Sequence, residues 1–292
     1  MNSLRGTGVA LVTPFTEDRE IDFQALQHVT QFLLDKGVDY LVVMGTTGEA
    51  ATLTETEQES VISSVKEVVQ NQAPIVLGIG GNNTYGVADR ILKWEEKFKP
   101  DAILSVSPFY NKPTQEGIFQ HYSYLASHTN LPLLLYNVPG RTSSNIAPET
   151  TLRLARTHQN IIGIKEASTD LSQIVPVLTN RPKNFLLLSG DDANTLALIA
   201  MGGDGVISVA GNAIPGVFSS MVKEALEGNF ASARTKLLAT FYQMELNFAE
   251  GNPAGVKMAM EILGLCKRHV RLPLVDATEE LKKAIEKAMT PA

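Results

Sequence analysis

The chain has 292 residues, 44% of them apolar and 19% charged, with 22 Gly and 14 Pro, the composition of a globular protein that can bury a sizeable core without metals or disulfides. Its 31 acidic and 25 basic side chains leave a formal charge of -6, which argues against nucleic acid as the main partner because no basic stripe is available to neutralise phosphates. At roughly 150 residues per domain the length suggests two domains, and one barrel with an appendage fills it equally well. Cys266 stands alone, so no internal disulfide is possible and a reducing compartment is compatible. NSLRGTG after Met1 has neither a basic leader nor a long apolar stretch, and the apolar runs fall far short of the roughly 20 residues that span a bilayer. A cytoplasmic address with no membrane partner is expected.

In chain order, short runs rich in Val, Ile and Leu recur at 9–14, 40–45, 74–80, 102–108, 132–138, 161–167, 185–191 and 205–211. They lack polar alternation, as strands buried on both faces do. Helical patterns separate them. Asp22 is placed to cap FQALQHVTQFLL, and Gly37 follows that segment where a left-handed C-cap is wanted. Thr54 with Glu57 fits a capping box for the next helix. Thr84 is expected to cap the third, in which Val87, Ile91, Trp94 and Phe98 fall on one stripe. Eight β-then-α units fit a closed parallel (β/α)8 TIM barrel better than a doubly wound sheet. GIGGNN at 78–83, the nearest approach to a GxGxxG phosphate fingerprint, fails its spacing. Beyond about Gly228 the strands stop. FASARTKLLATFYQMELNFA, PAGVKMAMEILGL and TEELKKAIEKAM read as three helices, the second opening at Pro253 after Asn252. The expected organisation is a catalytic barrel over 1–227 and a C-terminal three-helix domain over 228–292, which could pack on the barrel or serve an oligomer contact.

In such barrels the reactive groups gather at the carboxyl ends of the strands. Lys165 is the only lysine within any of the eight runs. A strand lysine can snorkel outward or pair with a neighbour such as Glu166. Buried between side-chain layers and helices, its ammonium would be unfavourable without a purpose. Desolvation lowers a lysine pKa and frees the amine to form an imine with a carbonyl substrate. Tyr136 ends the preceding run and could pass protons beside that amine, although a strand-end Tyr commonly only fills a core. Gly45-Thr46-Thr47-Gly48-Glu49 offers consecutive N–H groups and two hydroxyls suited to a carboxylate, or is a plain strand-to-helix turn. Arg141 could hold a second carboxylate in bidentate fashion, or lie solvated in a loop. The five histidines lie away from the strand ends with no metal-ligand spacing, and Asp191-Asp192 reads more readily as a helix cap than a cation site. A metal-free imine enzyme handling anionic oxo acids is what remains.

GTTGE (45–49), SPFYNKPTQEG (107–117), YNVPGRT (136–142), GIKEAS (163–168) and GVISVAGN (205–212) occur in an order and spacing that closely resemble the dihydrodipicolinate synthases, within the pyruvate-dependent class I aldolase superfamily. The resemblance covers essentially the whole chain. It implies condensation of pyruvate with L-aspartate-4-semialdehyde, the first committed step towards diaminopimelate and lysine, with no cofactor besides a covalent imine of Lys165 with pyruvate. By the same resemblance Tyr136, Thr46 and Tyr110 form a proton relay, Thr47 binds the pyruvate carboxylate, and Arg141 holds the carboxylate of the semialdehyde. The backbone around Gly190 and Ile207 lines the pyruvate pocket. Tyr110 is expected to cross a tight dimer interface of a homotetramer, a dimer of dimers. A lyase for sialic acid shares the lysine and tyrosine but lacks the arginine after YNVP, so Arg141 favours the synthase over an N-acetylneuraminate lyase or a 4-hydroxy-2-oxoglutarate aldolase. A catalytically silent sensor barrel is the reading from another class. Glu55, Gln58, Gly86 and Phe109 depart from the pattern of lysine-inhibited members, so weak or absent inhibition by L-lysine is expected.

Overall fold

Strands that are apolar on both faces need cover inside and out, and here they obtain it by closing on themselves within a ring of helices. The structure, a computed structural model, describes residues 4–289. The ends of the two expected domains, 1–3 and 290–292, lie outside the described residues. The eight strands are β1 (Gly6–Ala10), β2 (Tyr40–Val43), β3 (Ile75–Gly78), β4 (Ala102–Val106), β5 (Leu133–Asn137), β6 (Ile161–Glu166), β7 (Leu186–Ser189) and β8 (Gly205–Ser208). They pair in sequence order, all parallel, and β8 closes on β1 through Gly6–Gly205 to Val9–Ser208. The expected TIM barrel is the fold.

The first three helices, α1 (Phe23–Asp35), α2 (Glu55–Val69) and α3 (Thr84–Phe98), follow β1, β2 and β3. Next come α4 (Gln115–Ser127), the short α5 (Pro139–Thr142) and α6 (Pro148–Thr157). The barrel ends with α7 (Leu171–Asn180), α8 (Thr195–Ala200) and α9 (Pro215–Leu226). Period-two alternation divides the apolar side chains into two layers. Val42, Val76, Leu104, Leu134 and Leu188 fill the barrel interior. Leu41, Leu77, Ile103, Leu135 and Ile164 point outward and meet the helices, including the Val87, Ile91, Trp94, Phe98 stripe of α3.

The local signals hold with small displacements. Asp22 caps α1 by accepting from Ala25 N, Gly37 is left-handed at φ 75, and Thr54 and Glu57 close their capping box on α2. Asn83, not Thr84, caps α3: its side chain accepts from Gly86 N, and Thr84 is already helical. β1 is Gly6–Ala10 rather than 9–14, because Leu11 to Phe15 stay buried after the chain leaves the ladder and so prolong the apolar signal. The tail forms α10 (Phe230–Ala249), α11 (Ala254–Ile262) and α12 (Glu279–Met289). Pro253 precedes the first helical residue of α11 instead of occupying it. Val256, Met258, Ala259 and Met260 share one continuous core with the outer face of the barrel, so the tail packs on the barrel. Among the described residues no helix is long and apolar enough to cross a membrane.

Candidate active site

The carboxyl ends of the strands open into a cavity of about 710 Å³. Register builds one side of it. β5 and β6 pair Tyr136 with Lys165, which turns both side chains into the barrel mouth. Lys165 is 5% exposed, and its Nζ lies 4.3 Å from the centroid of the Tyr136 ring. Among the described residues it has no hydrogen-bond or ion-pair partner. Glu166, next in sequence, points to the opposite face. There it accepts from Asn137 Nδ2 at 3.0 Å on each oxygen, from Gln173 Nε2 at 3.1 Å and from Ser168 N at 2.7 Å. Burial pushes the Glu166 carboxyl up to about 7, against the lowering effect of those bonds. The strand therefore separates the carboxylate from the amine, and a Lys165–Glu166 pair does not form.

The Gly45–Glu49 segment forms the adjoining wall. After β2 the chain passes through left-handed Met44 at φ 62, makes a tight turn over Thr46–Gly48, and leaves through left-handed Glu49 at φ 52. Gly48 is required there because a Cβ would meet the Leu11 carbonyl oxygen at 3.0 Å. Thr46 is exposed to the cavity. Thr47 is buried, and its Oγ1 accepts from Asn252 Nδ2 at 3.0 Å. Arg141 follows β5 on α5 and lines the mouth, exposed and unpaired among the described residues. Gly190 lines the cavity after β7, where a side chain would strike Ala167 at 2.8 Å. Six of the eight residues expected at the site thus face one cavity.

The other two do not. Ile207, 1% exposed, belongs to the layer that fills the barrel; Val209, just past the end of β8, lines the cavity instead. Tyr110 is 87% exposed at left-handed φ 72 in the loop after β4, and its neighbour Phe109 takes the lining position. Within a single chain Tyr110 lies outside the cavity. At the positions tied to lysine inhibition, Glu55 pairs with Lys93 at 2.7 Å and Gln58 donates to the carbonyls of Ala50 and Leu53.

Asp192 and Asn252 are among the lining residues that the sequence did not assign to the site. Asp192 is buried and accepts from the N–H groups of Val209 and Ala210 at 3.1 and 2.7 Å, while burial raises its carboxyl above the usual range. It anchors the turn after β8 rather than capping a helix. Asn252, from the tail, reads in sequence as a helix-start residue and nothing local marks it as part of a site. Thus an unpaired amine beside a phenol, two hydroxyls on a strained turn, and a free guanidinium at the rim share one enclosure. The set suits addition of an amine to a carbonyl of an acid.

Residues 3–292 match the model described as the Dihydrodipicolinate synthetase family. The chain is 48% identical over 286 residues to the 4-hydroxy-tetrahydrodipicolinate synthase of Flavobacterium psychrophilum, covering 98% of this chain and 97% of that protein. Its fold matches the dihydrodipicolinate synthase of Thermotoga maritima with a TM-score of 0.94 at 38% identity, covering 98% and 97% of the two chains. It matches the chloride-inhibited dihydrodipicolinate synthase of Acinetobacter baumannii, complexed with pyruvate, at 0.94 and 35% identity over 98% of each chain.

Proposed function

This chain belongs to the dihydrodipicolinate synthetase family, and from that premise we propose that it joins pyruvate to L-aspartate-4-semialdehyde, the 4-hydroxy-tetrahydrodipicolinate synthase reaction, through an imine on Lys165. The observation that carries the proposal is Lys165 itself: a buried amine with no counterion among the described residues, opening on a cavity beside Tyr136. An amine not bound to a carboxylate keeps its nitrogen free to approach a carbonyl carbon.

In this reading the Lys165 amine adds to the pyruvate ketone, and water leaves to give the imine. Loss of a methyl proton then forms an enamine, whose carbon attacks the aldehyde of the second substrate. The imine nitrogen takes up the electrons, so the chemistry calls for no further cofactor. Tyr136 and Thr46 pass the protons that each step releases. The Thr47 hydroxyl and the turn N–H groups hold the pyruvate carboxylate, with the Gly190 backbone opposite. Arg141 holds the carboxylate of the semialdehyde in bidentate fashion. Tyr110 completes the relay from a neighbouring protomer of a homotetramer, which accounts for its exposure here. The family's role in diaminopimelate and lysine biosynthesis goes with a cytoplasmic address.

Steady-state rates with both substrates test the proposal. Semialdehyde consumption should require pyruvate, and Arg141→Ala should raise the KM for the semialdehyde by about 10- to 100-fold while pyruvate is still trapped as an imine. Cleavage of sialic acid or 4-hydroxy-2-oxoglutarate without use of the semialdehyde would point to a sister aldolase.

A further inference from the structure

The C-terminal tail touches the Gly45–Glu49 turn twice, at two of the residues that shape it. Lys257 of α11 lies 2.6 Å from Glu49, with both side chains fully buried. Its Nζ also donates to the His269 carbonyl at 2.8 Å and sits 4.2 Å above the Phe15 ring. The second Glu49 oxygen accepts from Arg271 N at 2.8 Å. The two Glu49 carboxylate oxygens are thereby tied to the tail, while its backbone, at a left-handed φ of 52, is bonded within the turn, donating to the Thr46 carbonyl and accepting from Thr52. Five residues before Lys257, Asn252 donates from Nδ2 to Thr47 Oγ1 and lines the cavity, with its own Oδ1 unpartnered. A hydroxyl has one proton and two lone pairs. With an amide N–H on its oxygen, Thr47 keeps that proton for a group in the cavity. The placement of α11 is itself tight: a Cβ at Gly255 would meet the Asn247 carbonyl oxygen at 2.4 Å.

We propose that Asn252 and Lys257 are positioning residues for the keto-acid carboxylate, acting through Thr47 and Glu49, so that the helical tail is a working part of the pyruvate site. The inference rests on the imine chemistry proposed above. A pair that merely docked the tail would set stability and leave substrate preference alone. These contacts should instead set the affinity for one substrate of two.

The test measures KM for each substrate, melting temperature, and trapping by borohydride with pyruvate, in wild type, Asn252→Ala, Lys257→Met, Thr47→Val and the Thr47→Val/Asn252→Ala double variant. Asn252→Ala should raise the pyruvate KM about tenfold and leave the semialdehyde KM within about twofold. Because Asn252 acts through the Thr47 hydroxyl, adding its replacement to Thr47→Val should change the pyruvate KM by less than about twofold. Lys257→Met should shift the pyruvate KM in the same direction; if that variant does not fold, Asn252→Ala decides the matter. A lowered melting temperature with an unchanged pyruvate KM in Asn252→Ala, or full multiplication of its effect with that of Thr47→Val, overturns the inference. Wild-type protein that pyruvate and borohydride fail to label defeats the imine reading underneath and takes this inference with it. Labelled wild type with an unaltered Asn252→Ala KM overturns the positioning role alone.

Discussion

Among the described residues two lysines are buried, and their surroundings are opposite. Lys257 is 0% exposed and meets a carboxylate, a carbonyl and an aromatic face. Lys165 is 5% exposed and meets an aromatic face and a cavity. An ammonium taken out of water needs its charge matched. Where it is matched, as at Lys257, the nitrogen is engaged by Glu49 and the His269 carbonyl and serves as a brace, even though burial pulls its pKa below the usual lysine value. Where it is not, as at Lys165, the nitrogen is left facing the cavity, where a carbonyl carbon can reach it. Burial alone does not identify a reactive lysine; the missing counterion does.

The sharpest way to break this comparison is to remove each amine in turn. Lys165→Ala should lower turnover by on the order of 10³-fold or more while leaving the fold intact, as assay and melting curves together would report. If Lys165 were only a core residue, stability would suffer and activity would fall far less. Tyr136→Phe keeps the ring beside Lys165 but removes the hydroxyl, so turnover should drop by roughly 10²–10⁴ with melting nearly unchanged. A change under about threefold would take Tyr136 out of the proton relay.

Lys257→Met tests the other side. It strands the Glu49 carboxylate and should cost about 3–5 kcal/mol in denaturant unfolding. The Glu49→Gln/Lys257→Met double variant, with no charge left to strand, should recover part of that loss. No recovery would mean that shape rather than charge holds the turn to the tail.

The smallest effect concerns Glu166, which shares a strand with Lys165 but not its cavity. Burial raises its folded pKa to about 7 from the ordinary 4.5, so the protonated carboxyl favours the fold. Its contribution is fully present below about 4.5 and is lost as pH rises through about 7. The wild-type melting temperature should therefore fall by a few degrees more across that window than that of Glu166→Gln. Parallel profiles would show that the Asn137 and Gln173 bonds keep the carboxylate ionised throughout.

The barrel was legible because parallel strands covered on both faces leave continuous apolar runs, and all eight emerged. What blurred was where a run stops being a strand, as at Leu11–Phe15, since burial outlasts the hydrogen-bond ladder. Lys165 showed itself as the one cation inside such a run, and Tyr136, Thr46, Thr47, Arg141 and Gly190 followed from strand ends and motifs. Ile207 takes the same inward face as Tyr136 but is packed within the barrel layer and does not line the cavity, because motif membership does not say which residue of a segment reaches the opening. Asn252 and Lys257 were invisible for a different reason. Their partners lie 205 and 208 positions away in sequence, and only the packing of α11 on the barrel brings them together.

The contrast between the two lysines comes down to one measurement. Pyruvate with borohydride, followed by peptide mass mapping, should place a single reduced pyruvate adduct on Lys165 and none on Lys257. The adduct should vanish in Lys165→Ala and persist in Tyr136→Phe. An unlabelled chain, or a label on any other lysine, would contradict the claim that the unpaired buried amine is the nucleophile.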